Sequence, residues 1–305
     1  MDGQGVRGRG SGVWTRRPWA MGIRKVGVIG CGLVGSGVSQ LAAQAGYETL
    51  FLEVSQRKLD EGLRAIKSSL RSRVSKGRMD EAELKDTLAR VTGTTEWEDL
   101  ANCDILLEAV VEDLGEKSSV LEHVDRYAPA HSIVATSTSS LSVAELAAVM
   151  SRPERVVGLH FACPVQVMKL VELVRTITTT EATVAAARQF AESLGKTVVL
   201  SKDSPGFVVN RLLVPYLMEA VRALEAGVAS KEDIDEGIRA GLGYPLGPFQ
   251  VLDLVGLDIA YSMGQRFFEE TKDSRYAPPR LLKEMVVSGY LGRKTGRGFY
   301  TYRGT

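Results

Sequence analysis

The most constraining feature of the chain is a short loop, Gly30-Cys31-Gly32-Leu33-Val34-Gly35, set between an apolar run and a helical one. Residues 24–30 (RKVGVIG) read as a buried strand, 33–45 as a helix ending at Gly46, and 48–53 (ETLFLE) as a second strand ending on Glu53. A GxGxxG pattern alone is a weak signal. With a strand before it, a helix after it and an acid 18 residues past its last glycine, it predicts a dinucleotide-binding βαβ unit. Gly30 permits the tight turn, Gly32 lets backbone approach a pyrophosphate, and Gly35 allows close helix–strand contact. Leu33 and Val34 open the helix, where unpaired N–H groups face that anion. Glu53 would accept the ribose hydroxyls and repel a 2′-phosphate, which favours NAD over NADP. The competing explanation is an ordinary α/β turn followed by a solvated acid.

Further strands are expected at 91–94, 103–110, 132–136, 155–160, 169–174 and 197–200, and Ser142 with Glu145 forms a capping box that opens a helix. This alternation predicts the α/β class: a doubly wound, mostly parallel Rossmann-type sheet over residues 21–202. Residues 55–90 break the rhythm with a long helical hairpin turning near Gly77, its apolar stripe being Leu59, Leu63, Ile66, Leu70 and Val74. From Arg57 to Arg78, eight bases stand against two acids. Singly they read as a solvated helix face; as a block they suit a polyanionic ligand equally well. Beyond residue 202, Ser204 suits an N-cap and Pro205 a first helical position. The run 207–226 is apolar nearly all round and is expected to be buried, in its own domain or against another subunit. Ser230 and Asp233 cap another helix, and helical segments continue to about residue 290. Residues 203–305 are therefore predicted to form an all-α domain for substrate binding and homodimerisation.

Composition excludes several classes. The chain has 305 residues, 44% of them hydrophobic, with a net charge of +1. No global charge draws it to nucleic acid, and no apolar run approaches the roughly 18 residues of a membrane span. Cys31, Cys103 and Cys163 are far apart and odd in number, which argues against a disulfide framework and for a reducing cytoplasm. Residues 1–20 are glycine-rich and carry four arginines against one acid. They read as a disordered extension or an upstream start, with the working fold beginning near Met21.

A dehydrogenase that oxidises an alcohol needs a base, and histidine suits neutral pH. His123, inside a helical run, and His131, beside a turn, read as structural or surface residues. His160 ends an apolar strand on the edge where doubly wound sheets place ligands. It stands as either that base or a satisfied core histidine. Glu172, near the next strand, is its candidate orienting carboxylate. The run Thr136-Ser137-Thr138-Ser139-Ser140 follows another strand end, where it offers a hydroxyl to a substrate or simply caps a turn. Asn210 is polar among Phe207, Val208, Val209 and Leu212 and needs a reason to be there.

Together these motifs resemble the short-chain L-3-hydroxyacyl-CoA dehydrogenases, closest to the bacterial 3-hydroxybutyryl-CoA type. The segments that carry the resemblance are GCGLVGSG at 30–37, EAVVEDLGEK at 108–117, TSSLS at 138–142, GLHFACPVQVMKLVE at 158–172, DSPGFVVNRLL at 203–213, GYPLGPFQVLDLVGLD at 243–258 and GRKTGRGFY at 292–300. The resemblance implies NAD as cofactor, no metal, and an acyl-CoA substrate. It implies His160 as base and Glu172 as its orienting carboxylate. Ser139 and Asn210 then contact substrate, Glu112 and Lys117 lie near the nicotinamide half of NAD, and Ser69 and Lys76 contact coenzyme A. In two places the chain departs from the family pattern: Ser137 stands for the usual Asn, and Ala162-Cys163 for the usual Phe-Asn. These departures bear on substrate identity and turnover. The rivals are the same chemistry on an acyl-carrier-protein thioester, on 3-hydroxyadipyl-CoA or on a sugar acid such as gulonate, and a catalytically silent dinucleotide-binding protein.

Overall fold

The computed structural model describes residues 22–302. The extension expected at 1–20 lies outside the described residues. The chain opens with β1 (Lys25–Ile29), α1 (Leu33–Gln44) and β2 (Glu48–Leu52), the βαβ unit expected from the glycine loop. The helical hairpin follows as α2 (Gln56–Ser75) and α3 (Glu81–Ala89), turning through Gly77 at φ +64°. Then come β3 (Val91–Thr94), β4 (Ile105–Glu108), α4 (Leu114–Tyr127), β5 (Ile133–Thr136), α5 (Val143–Ala148), β6 (Val156–Phe161), β7 (Leu170–Arg175), α6 (Glu181–Ser193) and β8 (Thr197–Lys202). The helical unit comprises α7 (Val209–Glu225), α8 (Lys231–Leu242), α9 (Pro248–Val255), α10 (Leu257–Thr271) and α11 (Arg280–Val287).

The strands form one sheet in the order β3-β2-β1-β4-β5-β6-β7-β8, parallel throughout except where β7 runs against β6. The order reverses between β1 and β4, and the crevice above their C-terminal ends is where such sheets bind ligands. Apolar residues cover both faces, as a parallel sheet requires. One face packs on α1, α6 and the hairpin, burying Phe51, Ile66, Leu70 and Phe190. The other packs on α4 and α5, and Phe207 joins it from the segment leading to α7. A separate core in the helical unit gathers Met218, Phe249, Leu252, Phe267 and Leu282, all at 0% exposure.

The expected α7 differs in two respects. It begins at Val209, not at Pro205, because Gly206 and Phe207 take φ +74° and +51° and cannot continue a right-handed helix. Ser204 caps nothing there; its carbonyl accepts the Phe207 N–H in a turn. Nor is α7 buried all round: Val214, Leu217, Met218 and Val221 face the core at helical spacing, while Leu212 is 70% exposed.

The glycine loop holds by close contact. A Cβ on Gly35 would stand 1.8 Å from the Gly30 carbonyl oxygen, whereas one on Gly32 would meet nothing within 4 Å. Gly35→Ala should therefore lower stability by about 2 kcal/mol or more, and Gly32→Ala by no more than about 0.5 kcal/mol. Urea denaturation of the two variants checks this; equal losses would contradict the packing described.

Candidate active site

The crevice between β1 and β4 has the parts a dinucleotide needs. Gly30, at φ +88°, turns the chain where a Cβ would stand 2.8 Å from the Ala109 carbonyl oxygen. Packing accounts for Gly30 and Gly35 but not for Gly32, the N-cap of α1, which borders open space. A bare position at the head of a helix, with backbone N–H groups facing outward, is what a pyrophosphate requires. Leu33 and Val34 follow it as the first residues of α1, and Leu33 is exposed. From the end of β2, Glu53 reaches the same loop and accepts the Cys31 N–H. The glycine loop and the acid thus converge from adjacent strands, and the residues present fit NAD.

His160 and Glu172 are cross-strand neighbours in the antiparallel β6–β7 pair. Their side chains meet, with His160 Nδ1 2.7 Å from Glu172 Oε2. An ionised carboxylate can only accept, so Nδ1 carries the proton, and in the neutral imidazole the lone pair is then on Nε2. The other Glu172 oxygen accepts the Val208 and Val209 N–H groups at 2.8 and 2.9 Å, capping α7. Burial pushes the Glu172 carboxyl up, but hydrogen bonds from His160, Val209 and Val208 outweigh it and hold the group below its ordinary value. Glu172 is 1% exposed and His160 15%, so the carboxylate is sealed in while the imidazole can be reached. The Phe207 ring lies 5.7 Å from the imidazole.

A second carboxylate shapes the loop that carries Ser139. Glu112 Oε1 accepts from the Thr138 hydroxyl (2.7 Å), the Ser139 N–H (2.9 Å), the Ser140 N–H (3.0 Å) and the Ser140 hydroxyl (3.0 Å). Burial raises the Glu112 carboxyl; the Thr138 hydroxyl, the charge of Lys117 and the loop donors outweigh it and lower the group. Lys117 lies behind, 1% exposed, with Nζ 2.7 Å from Glu108 Oε1 and 3.5 Å from Glu112 Oε2. Glu108 itself is fully buried at the tip of β4, where it also accepts the Thr136 hydroxyl. Sequence reasoning missed Glu108; the available signal was an acid closing the apolar strand ILLE, with a lysine nine residues on. It also missed Asp203, which accepts from the Ser142 hydroxyl and the Val143 and Ala144 N–H groups and so caps α5.

Asn210 is half-buried at the second position of α7, next to the N–H groups that Glu172 holds. Ser69 and Lys76 lie elsewhere, on α2 and at its C-cap; their seven-residue spacing places them on one helical face. Arg73, between them, has a buried Nε without a hydrogen-bond partner. No hydrogen bond among the described residues joins this face to His160. His123 stacks on Trp97, and His131 lies 3.3 Å from Asp104, both away from the His160 pair. Ser137 is nearly buried, its N–H on the Glu108 carbonyl, while Cys163 is exposed just past β6.

Known proteins match along almost the whole chain. A family model described as "3-hydroxyacyl-CoA dehydrogenase, NAD binding domain" matches residues 25–204, and one described as "3-hydroxyacyl-CoA dehydrogenase, C-terminal domain" matches residues 206–302. The 3-hydroxybutyryl-CoA dehydrogenase of Mycobacterium tuberculosis (strain ATCC 25618 / H37Rv) is 45% identical over 282 residues, covering 92% of this chain and 99% of that protein. The mitochondrial hydroxyacyl-coenzyme A dehydrogenase of Homo sapiens is 39% identical, with 92% of each chain covered. The crystal structure of (S)-3-hydroxybutyryl-CoA dehydrogenase PaaH1 from Ralstonia eutropha superposes with a TM-score of 0.90 at 41% identity, over 92% of this chain and all of that one.

Because the folded carboxyl of Glu172 is lowered, its interactions add stability above the ordinary glutamate range and lose it as pH falls through the lowered value. Glu172→Gln should cost about 2 kcal/mol at pH 7, and the gap to wild type should narrow in acid. Urea denaturation from pH 7 down to about pH 3.5, below the unperturbed glutamate value, measures it. A gap independent of pH would show that the charge is not what binds α7 and His160.

Proposed function

Since the chain belongs to the 3-hydroxyacyl-CoA dehydrogenase family, we propose that it uses NAD to interconvert an L-3-hydroxyacyl-CoA and its 3-oxoacyl-CoA. The proposed substrate is of the 3-hydroxybutyryl-CoA kind, which its relatives are named for. The observation that carries this is the His160–Glu172 pair: a reachable imidazole, its Nδ1–H held by a sealed carboxylate, on a dinucleotide-binding sheet. Gly30 and Gly35 shape the cofactor loop, Gly32, Leu33 and Val34 present its backbone to the pyrophosphate, and Glu53 takes the ribose. Glu112 holds the loop at the nicotinamide side, and Lys117 acts there through Glu112. NAD, when bound, supplies the hydride acceptor.

His160 Nε2 takes the substrate hydroxyl proton as the C3 hydrogen departs with its electron pair and the C3–O bond becomes a carbonyl. Glu172 stays anionic through neutral pH and stabilises the imidazolium that forms. Ser139 and Asn210 hold the substrate oxygens and keep C3 aligned. In the reverse direction His160 Nε2–H returns the proton. Ser69 on α2 and Lys76 at its C-cap offer a hydroxyl donor and positive charge to the phosphates of coenzyme A.

The domain division proposed is 21–202 for NAD and 203–305 for the helical unit. Leu212, Leu242, Tyr244, Leu254 and Ile259 are exposed on that unit and support a homodimer formed through it. Three free cysteines support a reducing cytoplasmic setting. No helix among the described residues is long and apolar enough to cross a membrane.

The decisive assay follows NADH absorbance with acetoacetyl-CoA, longer 3-oxoacyl-CoAs, a carrier-protein thioester and gulonate. Acetoacetyl-CoA should be turned over; activity confined to gulonate or to the carrier protein would sink the assignment. His160→Gln should lower kcat by about 10²- to 10⁴-fold and leave NADH binding intact. Lys76→Glu should raise KM for acetoacetyl-CoA while leaving KM for its pantetheine-truncated analogue unchanged. Equal effects on both substrates would remove Lys76 from the coenzyme A site.

A further inference from the structure

The helical unit reaches the Ser139 loop through a charged side chain. Arg266, in the third turn of α10, is half-buried, and its Nη1 donates to Ser140 Oγ at 2.6 Å. A guanidinium only donates and a carboxylate only accepts. Ser140 Oγ therefore accepts from Arg266 and turns its own proton to Glu112 Oε1, 3.0 Å away. That same oxygen holds the Ser139 and Ser140 N–H groups and the Thr138 hydroxyl. Ser139 thus lies within a relay of charge-assisted contacts, Arg266–Ser140–Glu112–Lys117–Glu108, running from α10 to the tip of β4.

We propose that Arg266 is a positioning residue for the reaction: by fixing Ser140 and Glu112 it sets the Ser139 hydroxyl, so the loop takes its working shape when the helical unit is seated. This rests on the assignment of Ser139 to the substrate oxygens. Arg266 also stands among acids at the seam. Glu270, four residues on, is pushed up by burial and by the charges of Asp203 and Glu145, and drawn back down by Arg266. The two roles separate by what transmits them: seam electrostatics do not need the Ser140 hydroxyl, and positioning of Ser139 does.

The test is a double-mutant cycle on the full-length enzyme, with NADH, acetoacetyl-CoA and longer 3-oxoacyl-CoAs, and a thermal melt of every variant. Arg266→Met should lower kcat about tenfold or more, with KM for NADH unchanged. Ser140→Ala should lower kcat to a similar degree, and the double variant should be no slower than the slower single one. Arg266→Lys should recover part of the lost kcat. An unaffected kcat in Arg266→Met overturns the proposal. So do losses that multiply in the double variant and follow its melting temperature, since they assign Arg266 to the seam alone. Wild-type enzyme inactive with every 3-oxoacyl-CoA overturns the functional assignment and this proposal with it. Active wild type beside an unaffected Arg266→Met overturns this proposal alone.

Discussion

One buried carboxylate joins the sheet to the helical unit. Glu172 gives one oxygen to the imidazole of His160 and the other to the first N–H groups of α7. An ion taken out of water at this depth is tolerated only when its lone pairs are met, and here three donors meet them. Each partner therefore supports the others. If α7 were displaced, Glu172 would lose two donors and hold the imidazole less firmly; if the imidazole were lost, α7 would start on a poorly satisfied charge. The basic nitrogen and the seating of the helical unit share a single group.

Most of the sheet was legible because parallel strands buried on both faces are short apolar runs between turn signals. Residues 105–108 and 133–136 are such runs, and Gly77 marked the hairpin turn by its tolerance of positive φ. The start of α7 was not legible. Ser204 and Pro205 are good local start signals, but the carboxylate that caps the helix comes from 36 residues upstream. A tertiary contact overrode a local preference. The apolar run through α7 misled for another reason: periodicity marks the buried stripe, but it cannot say whether the remaining apolar residues meet solvent or a partner. His160 and Glu172 were nameable as a candidate pair from their places near two strand ends, and their contact depends on strand register, which spacing alone does not encode. Glu108 escaped notice because its partner Lys117 reaches it only once β4 and α4 pack together.

The glycine loop and the Glu112 loop use one principle in opposite senses. At Gly32 the backbone N–H groups are left open beside a bare Cα, and an anion must arrive from outside. At residues 138–140 similar N–H groups are already closed on an anion of the protein's own, Glu112. The first arrangement binds; the second holds a shape. Both lie at the C-terminal ends of parallel strands, so this edge of the sheet carries one turn open to an anion and one already closed on a carboxylate of the chain.

The antiparallel step between β6 and β7 has an evolutionary consequence. Side chains alternate along a strand, so a slip of one residue in this pairing would carry Glu172 to the face where Val171 and Leu173 pack with Phe190. A single-residue insertion or deletion inside 156–161 or 170–175 would therefore separate the carboxylate from the imidazole. The connection at 162–169 lies outside that ladder and is held instead by the buried Val165 and by Lys196, which donates to the Val165 and Met168 carbonyls. Ala162, half-buried, and Cys163, exposed, lie there before Val165, so these two positions can change beside a histidine whose place is set by the ladder. Sequence change at Ala162 and Cys163 therefore leaves the His160–Glu172 contact standing, whereas a register change in β6 or β7 does not.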